Sequence, residues 1–176
     1  MHADQATEEA AGPPSVWVTF PGLRLEDLRT TQRWDDALLR ELQLMAADDG
    51  VDLDRDELRE DLADVRAAIG QLRPLLEEAL AAALGSGRAA DEVVLVATPD
   101  LLTLAEQADA AFRRVDERCG GVMLLARPPA LARGFREWFL GQFREQAAGR
   151  PAVAWREWWS LYGDGSALPD EMPSSG

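Results

Sequence analysis

Six carboxylates crowd the ten residues Asp48-Asp49-Gly50-Val51-Asp52-Leu53-Asp54-Arg55-Asp56-Glu57, and a hard cation such as calcium takes carboxylates at alternating positions of one loop. The register defeats that chemistry. With Asp52, Asp54 and Asp56 as the first three ligands, the required turn glycine falls on Glu57 and the bidentate acid on Ala63. The stretch reads instead as a solvated hinge and the start of a helix. Cys119 is a second candidate, as a nucleophile, but its thiolate needs a base, and the one histidine of the chain is His2, in an expected tail. A core thiol is the simpler reading. One His and one Cys cannot form a structural zinc site, so no metal is expected.

Phosphate chemistry fares no better. Gly85-Ser86-Gly87 follows a helix pattern and has no Lys, whereas a phosphate loop follows a strand and opens a helix with Gly-Lys-Ser/Thr. Gly120-Gly121 shares the defect. The turn at Thr98-Pro99-Asp100 does lead from a strand pattern into a helix, but Pro99 removes an amide that an anion would use, so a plain helix start is expected. Asp35 with Asp36, and Glu77 with Glu78, are neighbours in sequence that point different ways on a helix and read as solvated faces. No catalytic residue and no cofactor site is assigned.

What survives is suited to recognition. Residues 48–64 hold nine acids and two arginines, a net of -7, while residues 127–156 hold six arginines and two glutamates, a net of +4. Either the basic final helix packs near the acidic hairpin, or it offers a docking surface to an acidic partner or a second copy. Aromatic residues also crowd the C-terminal part: Phe135, Trp138, Phe139, Phe143, Trp155, Trp158, Trp159 and Tyr162. The simpler fate of Trp155, Trp158 and Trp159 is a return onto the domain's own surface. The sharper one is anchoring a protein partner, joined by Arg136 and Trp138. An alternative is a small-molecule sensor with its pocket between the sheet and the aromatic helix, where Arg133 or Arg136 would anchor an anionic ligand.

The elements that must position these residues follow from periodicity. Val16-Trp17-Val18-Thr19-Phe20 before Pro21-Gly22 predicts a strand closed by a turn. Leu28, Trp34, Leu38, Leu42 and Met45 predict a helix over 26–47. Asp54 is the expected cap of the next helix, with Glu57 reaching back to the cap's amide. Its apolar positions Leu58, Leu62, Val65, Ile69, Leu72, Leu76, Leu80 and Ala83 form a heptad-like seam, either packed inside the domain or building a homodimer. Pro74 predicts a kink or break near 70–74. The run Val93-Val94-Leu95-Val96 has the composition of a buried, central strand, and Val122–Ala126 fits either another short strand, which is favoured, or the end of a helical segment. Helices follow over Leu101–Cys119 and from Leu131 onward.

The fold class expected is α+β or α/β, predominantly helical, with a small two- to three-stranded sheet covered by four or more helices. Residues 1–15 read as a disordered acidic tail, 16–150 as a single globular domain, 151–162 as an aromatic C-terminal extension and 163–176 as a second disordered tail. A body of this size buries a sizeable core without disulfides. All 18 basic residues are Arg, and a net charge of -14 opposes binding to nucleic acid or anionic membrane. No apolar run nears the roughly 20 residues of a membrane span, and one cysteine gives no disulfide, so a cytoplasmic location is expected.

Two short patterns, Asp36-Ala37-Leu38-Leu39-Arg40-Glu41-Leu42 and Phe135-Arg136-Glu137-Trp138-Phe139-Leu140, resemble an actinobacterial accessory region associated with anti-sigma-factor-type ATP-binding and phosphatase regulators. The resemblance implies bacterial signalling or transcriptional control. No ATP-binding module is present in the sequence, so kinase-like activity does not carry over. The expected function is that of a non-catalytic bacterial regulatory protein acting through protein–protein contact.

Overall fold

Alternation along the first strand sets the architecture. In the computed structural model, which describes residues 15–48, 54–85, 92–119 and 130–163, β1 (Val16–Pro21) turns Val18 and Phe20 inward and Trp17 outward. It pairs antiparallel with β2 (Glu92–Ala97), Trp17 opposite Val96 and Thr19 opposite Val94. The expected buried, central β2 is corrected here. Only Val93, Leu95 and Ala97 are covered, while Val94 and Val96 lie on the exposed face, because helices pack on one side of the sheet alone. A continuous apolar run imitates a doubly covered strand even when one face is open.

Between the strands lie α1 (Leu25–Ala47) and α2 (Arg55–Gly85), and after β2 come α3 (Pro99–Cys119), α4 (Ala130–Ala147) and α5 (Trp155–Tyr162). The fold is α+β and predominantly helical, as expected. Asp54 caps α2, its carboxylate accepting from the amides of Asp56 at 3.0 Å and Glu57 at 3.2 Å. Glu57 does not return the bond; its carboxylate pairs with Arg118 of α3 at 2.9 Å. Thr98 caps α3 through the Leu101 amide at 3.3 Å, with Pro99 in the first helical position.

Of the kink or break expected near 70–74, the break does not occur, and α2 runs unbroken from Arg55 to Gly85 with Pro74 inside it. Pro74 and Gly70 both sit on the exposed side, so the Gly70 carbonyl that loses its amide partner can turn to water. Leu72 and Leu76 hold the other side against the core. The heptad-like seam is spent in the same way. Leu58, Val65, Leu76 and Leu80 are buried within the chain, and Leu62, Ile69, Leu72 and Ala83 pack half-buried against the same core.

α4 is the central helix. Ten of its 18 residues are buried, and Arg133, Glu137 and Arg144 mark the one stripe left exposed. Phe20 of β1 lies 4.7 Å from Phe139, 5.5 Å from Phe143 and 6.1 Å from Trp138, ring centre to ring centre. Gln146 adds a polar tie. It accepts from the Thr19 amide at 2.9 Å and donates to the Thr19 carbonyl at 2.8 Å, standing in for a strand along the free edge of β1.

The segregated charges are not joined as the sequence implied. Arg114 of α3 reaches Asp61 at 2.7 Å and Asp64 at 2.8 Å, and Arg118 reaches Asp61 at 3.2 Å, so α3 rather than the final basic helices neutralises the acidic start of α2. The expected tails, the Val122–Ala126 strand, the Cys119 side chain and most of the acidic hinge lie outside the described residues. No described helix is long and apolar enough to cross a membrane.

Candidate functional site

The aromatic residues of α5 divide sharply. Trp155 is fully buried, 5.3 Å from Phe135 and 5.5 Å from Trp138, and its indole donates to Asp27 at 3.1 Å in the first turn of α1. Trp159 is buried as well, laid over Gly134. Trp138 is enclosed and donates to the Val153 carbonyl at 2.8 Å. These three indoles serve the core, and their expected role as partner anchors is corrected accordingly. The 151–162 segment is part of the body, because its two buried rings belong to the same core cluster as Phe20.

Arg136 is also spent internally. It is 6% exposed; one nitrogen donates to Asp35 at 2.8 Å, and its guanidinium carbon sits 3.9 Å over the Phe112 ring. Nε and Nη1 are enclosed without an acceptor among the described residues. A guanidinium shut against an aromatic face is stabilised by the ring's negative quadrupole. Arg133 lies outside, with Glu137 4.0 Å away. Of the two alternative anchors for an anionic ligand, Arg136 is thus enclosed and Arg133 exposed.

Two hollows flank α4. One, of about 70 Å³, lies among α1, α2, α3 and α4 and is walled by Leu28, Ile69, Leu72, Phe112, Phe135 and Phe139, with Asp35 and Arg136 behind. It does not touch the sheet, where the pocket was expected. The other is a cleft of about 490 Å³ between α3, α4 and α5. Trp158, Tyr162, Arg113, Arg144, Glu137 and Asp109 line it, with Trp138 and Val153 at its back. Trp158 packs 5.4 Å from Tyr162, which is 69% exposed.

Carboxylates beside both hollows are perturbed. Burial pushes Asp35 above its ordinary 3.8 despite the opposing pull of Arg136 and Arg73. Asp116 is raised from 3.8 by burial against Arg136 and Arg133, and Glu137 from 4.5 by burial against Arg133. Glu145, hydrogen-bonded by Arg150 and Arg144, is held below 4.5. In the cleft, Asp109 bridges Arg113 and Arg144. The arrangement fixes charges around an aromatic wall.

Periodicity missed a row of arginines on α1, Arg29, Arg33 and Arg40, beside an open cleft that also includes Arg73 of α2. Which arginines find acids depends on tertiary neighbours, and spacing carries no signal for that. Comparison with family models, with curated proteins and with solved structures finds no match for this chain.

Proposed function

We propose that this chain is a non-catalytic regulatory protein that works by binding another protein, with the cleft between α3, α4 and α5 as its contact surface. One observation carries the reading: Tyr162 is exposed, Trp158 is only half-buried where it stacks on Trp155, and the two rings wall a cleft with Arg113 and Arg144. Trp, Tyr and Arg are the residue types that dominate binding energy at protein interfaces. Leu161, exposed beside them, extends the apolar rim. The resemblance carried by 36–42 and 135–140 makes bacterial signalling the setting we propose.

A photo-crosslinking residue in place of Tyr162, incorporated in the native host, tests this. The expected outcome is one discrete protein adduct that is lost when Trp158→Ala is added. Adducts no different from those formed at exposed Leu44 would overturn it.

A second reading keeps one observation. The hollow among the four helices is apolar, and dry apolar cavities of about 150 Å³ hold benzene, so a volume of about 70 Å³ suits a ligand of a few carbons. Saturation with such a compound raises the melting temperature if the hollow is a sensor pocket.

A further inference from the structure

The chain has 32 acids for 18 arginines, so an arginine without a carboxylate partner is unexpected. Three lie along one face of α1. Arg29 has no hydrogen-bond or ion-pair partner among the described residues, Arg33 has only the Thr30 hydroxyl at 3.1 Å, and Arg40 only the Asp36 carbonyl at 3.2 Å. The nearby Asp36 carboxylate is taken by Arg73 at 2.8 Å. Positions 29, 33 and 40 fall on one stripe of a helix, since eleven residues make about three turns. All three are exposed. An open cleft of about 730 Å³ borders the row, where Arg29, Arg33, Gln32 and Arg73 face only Glu26 and Asp36.

We propose that this face of α1 docks an extended acidic segment of a partner protein, which rests on the protein-recognition reading above. Charge complementarity selects the sign. Length selects the shape: from Arg29 to Arg40 the row runs about 16 Å at about 1.5 Å per residue, the span of about five residues of extended chain. A compact anion would need donors gathered at a point, whereas these are strung along a line. The chain itself carries a net charge of -14. The same charge does not forbid the contact, since fields from distant acids fade over about 8 Å at physiological salt while the touching arginines act at shorter range.

Fluorescent hexaglutamate, titrated with the full chain at physiological salt and read by polarisation, tests the proposal. Saturable binding is expected, weakened about fivefold or more by Arg29→Gln with Arg33→Gln, the scale of two exposed ion pairs. Arg66→Gln, at an exposed arginine of α2 that also lacks a carboxylate partner among the described residues, is expected to leave binding unchanged. Circular dichroism of each variant shows that folding is retained. No saturable binding, an equal loss with Arg66→Gln, or diglutamate binding as tightly as hexaglutamate overturns the proposal. So does pyrophosphate displacing the peptide at lower concentration than unlabelled hexaglutamate, which makes the row a small-anion site. A partner crosslinked at Tyr162 without hexaglutamate binding sinks only this inference; the reverse pattern sinks only the cleft reading.

Discussion

Trp155, Trp158 and Trp159 lie within one short helix, yet two are in the core and one stands at a cleft. The partition is set by what each ring meets. Trp155 finds the Asp27 carboxylate and the Phe135 ring, while Trp159 finds the space left by the missing side chain of Gly134. A Cβ at Gly134 would stand 2.5 Å from the Trp159 ring, and a buried indole has nowhere to retreat. Gly134→Ala is therefore expected to cost about 1–3 kcal/mol, seen as a lower urea midpoint. Gln146→Ala leaves the Thr19 amide and carbonyl without their partners, and a similar loss of about 1–3 kcal/mol follows where water cannot replace them. The aromatic density was legible from residue types. Which rings would be buried was not, because it depends on how α5 sits against Gly134 and Asp27, more than 20 residues away in one case and more than 120 in the other. The same blindness hid the α1 arginines and misplaced Arg136, whose neighbours Asp35 and Phe112 come from two other helices.

At the level of elements, most local signals were read correctly, the return bond expected of Glu57 excepted. Asp54 and Thr98 cap as their types and positions indicate, and the strands and most helix limits follow from period and turn residues. The failures share a cause. Whether a strand is covered on one face or two, and whether a proline breaks a helix, is decided by packing from elsewhere in the chain. α2 keeps Pro74 because its buried side outweighs one lost bond on the wet side. Proline costs up to about 3 kcal/mol against alanine in a helix interior, of which restriction of the unfolded chain returns up to about 1. Pro74→Ala is accordingly expected to stabilise the protein by about 1–3 kcal/mol, measured by chemical denaturation with an unchanged denaturant slope.

Across the whole molecule, acidity and burial combine into an unusual pH response. Asp35, Asp116 and Glu137 have folded pKa values raised above 3.8, 3.8 and 4.5. The folded state thus holds their protons more tightly than the unfolded chain does. Their contribution to stability is present below the ordinary carboxyl values and is lost as pH rises through the folded ones. Glu145 is shifted the other way, so its contribution is lost only as pH falls below 4.5. Between neutrality and 4.5 the three raised acids prevail, and partial neutralisation of the -14 charge acts in the same direction. The melting temperature is expected to rise as pH is lowered from 7 toward 5, and a scan showing a steady fall over that range would contradict this balance. The protein–partner reading belongs to this scale as well: an acidic body whose basic row lies on α1 and whose aromatic cleft lies beside α5 offers two chemically distinct faces. The enclosure of β1 by α4 also bears on how the chain is made. Phe20 and Thr19 are tied to Phe139, Phe143 and Gln146, so the ribosome releases the first strand long before the helix that shelters it. Until the last third is translated, its apolar side is open to chaperones and to other nascent chains.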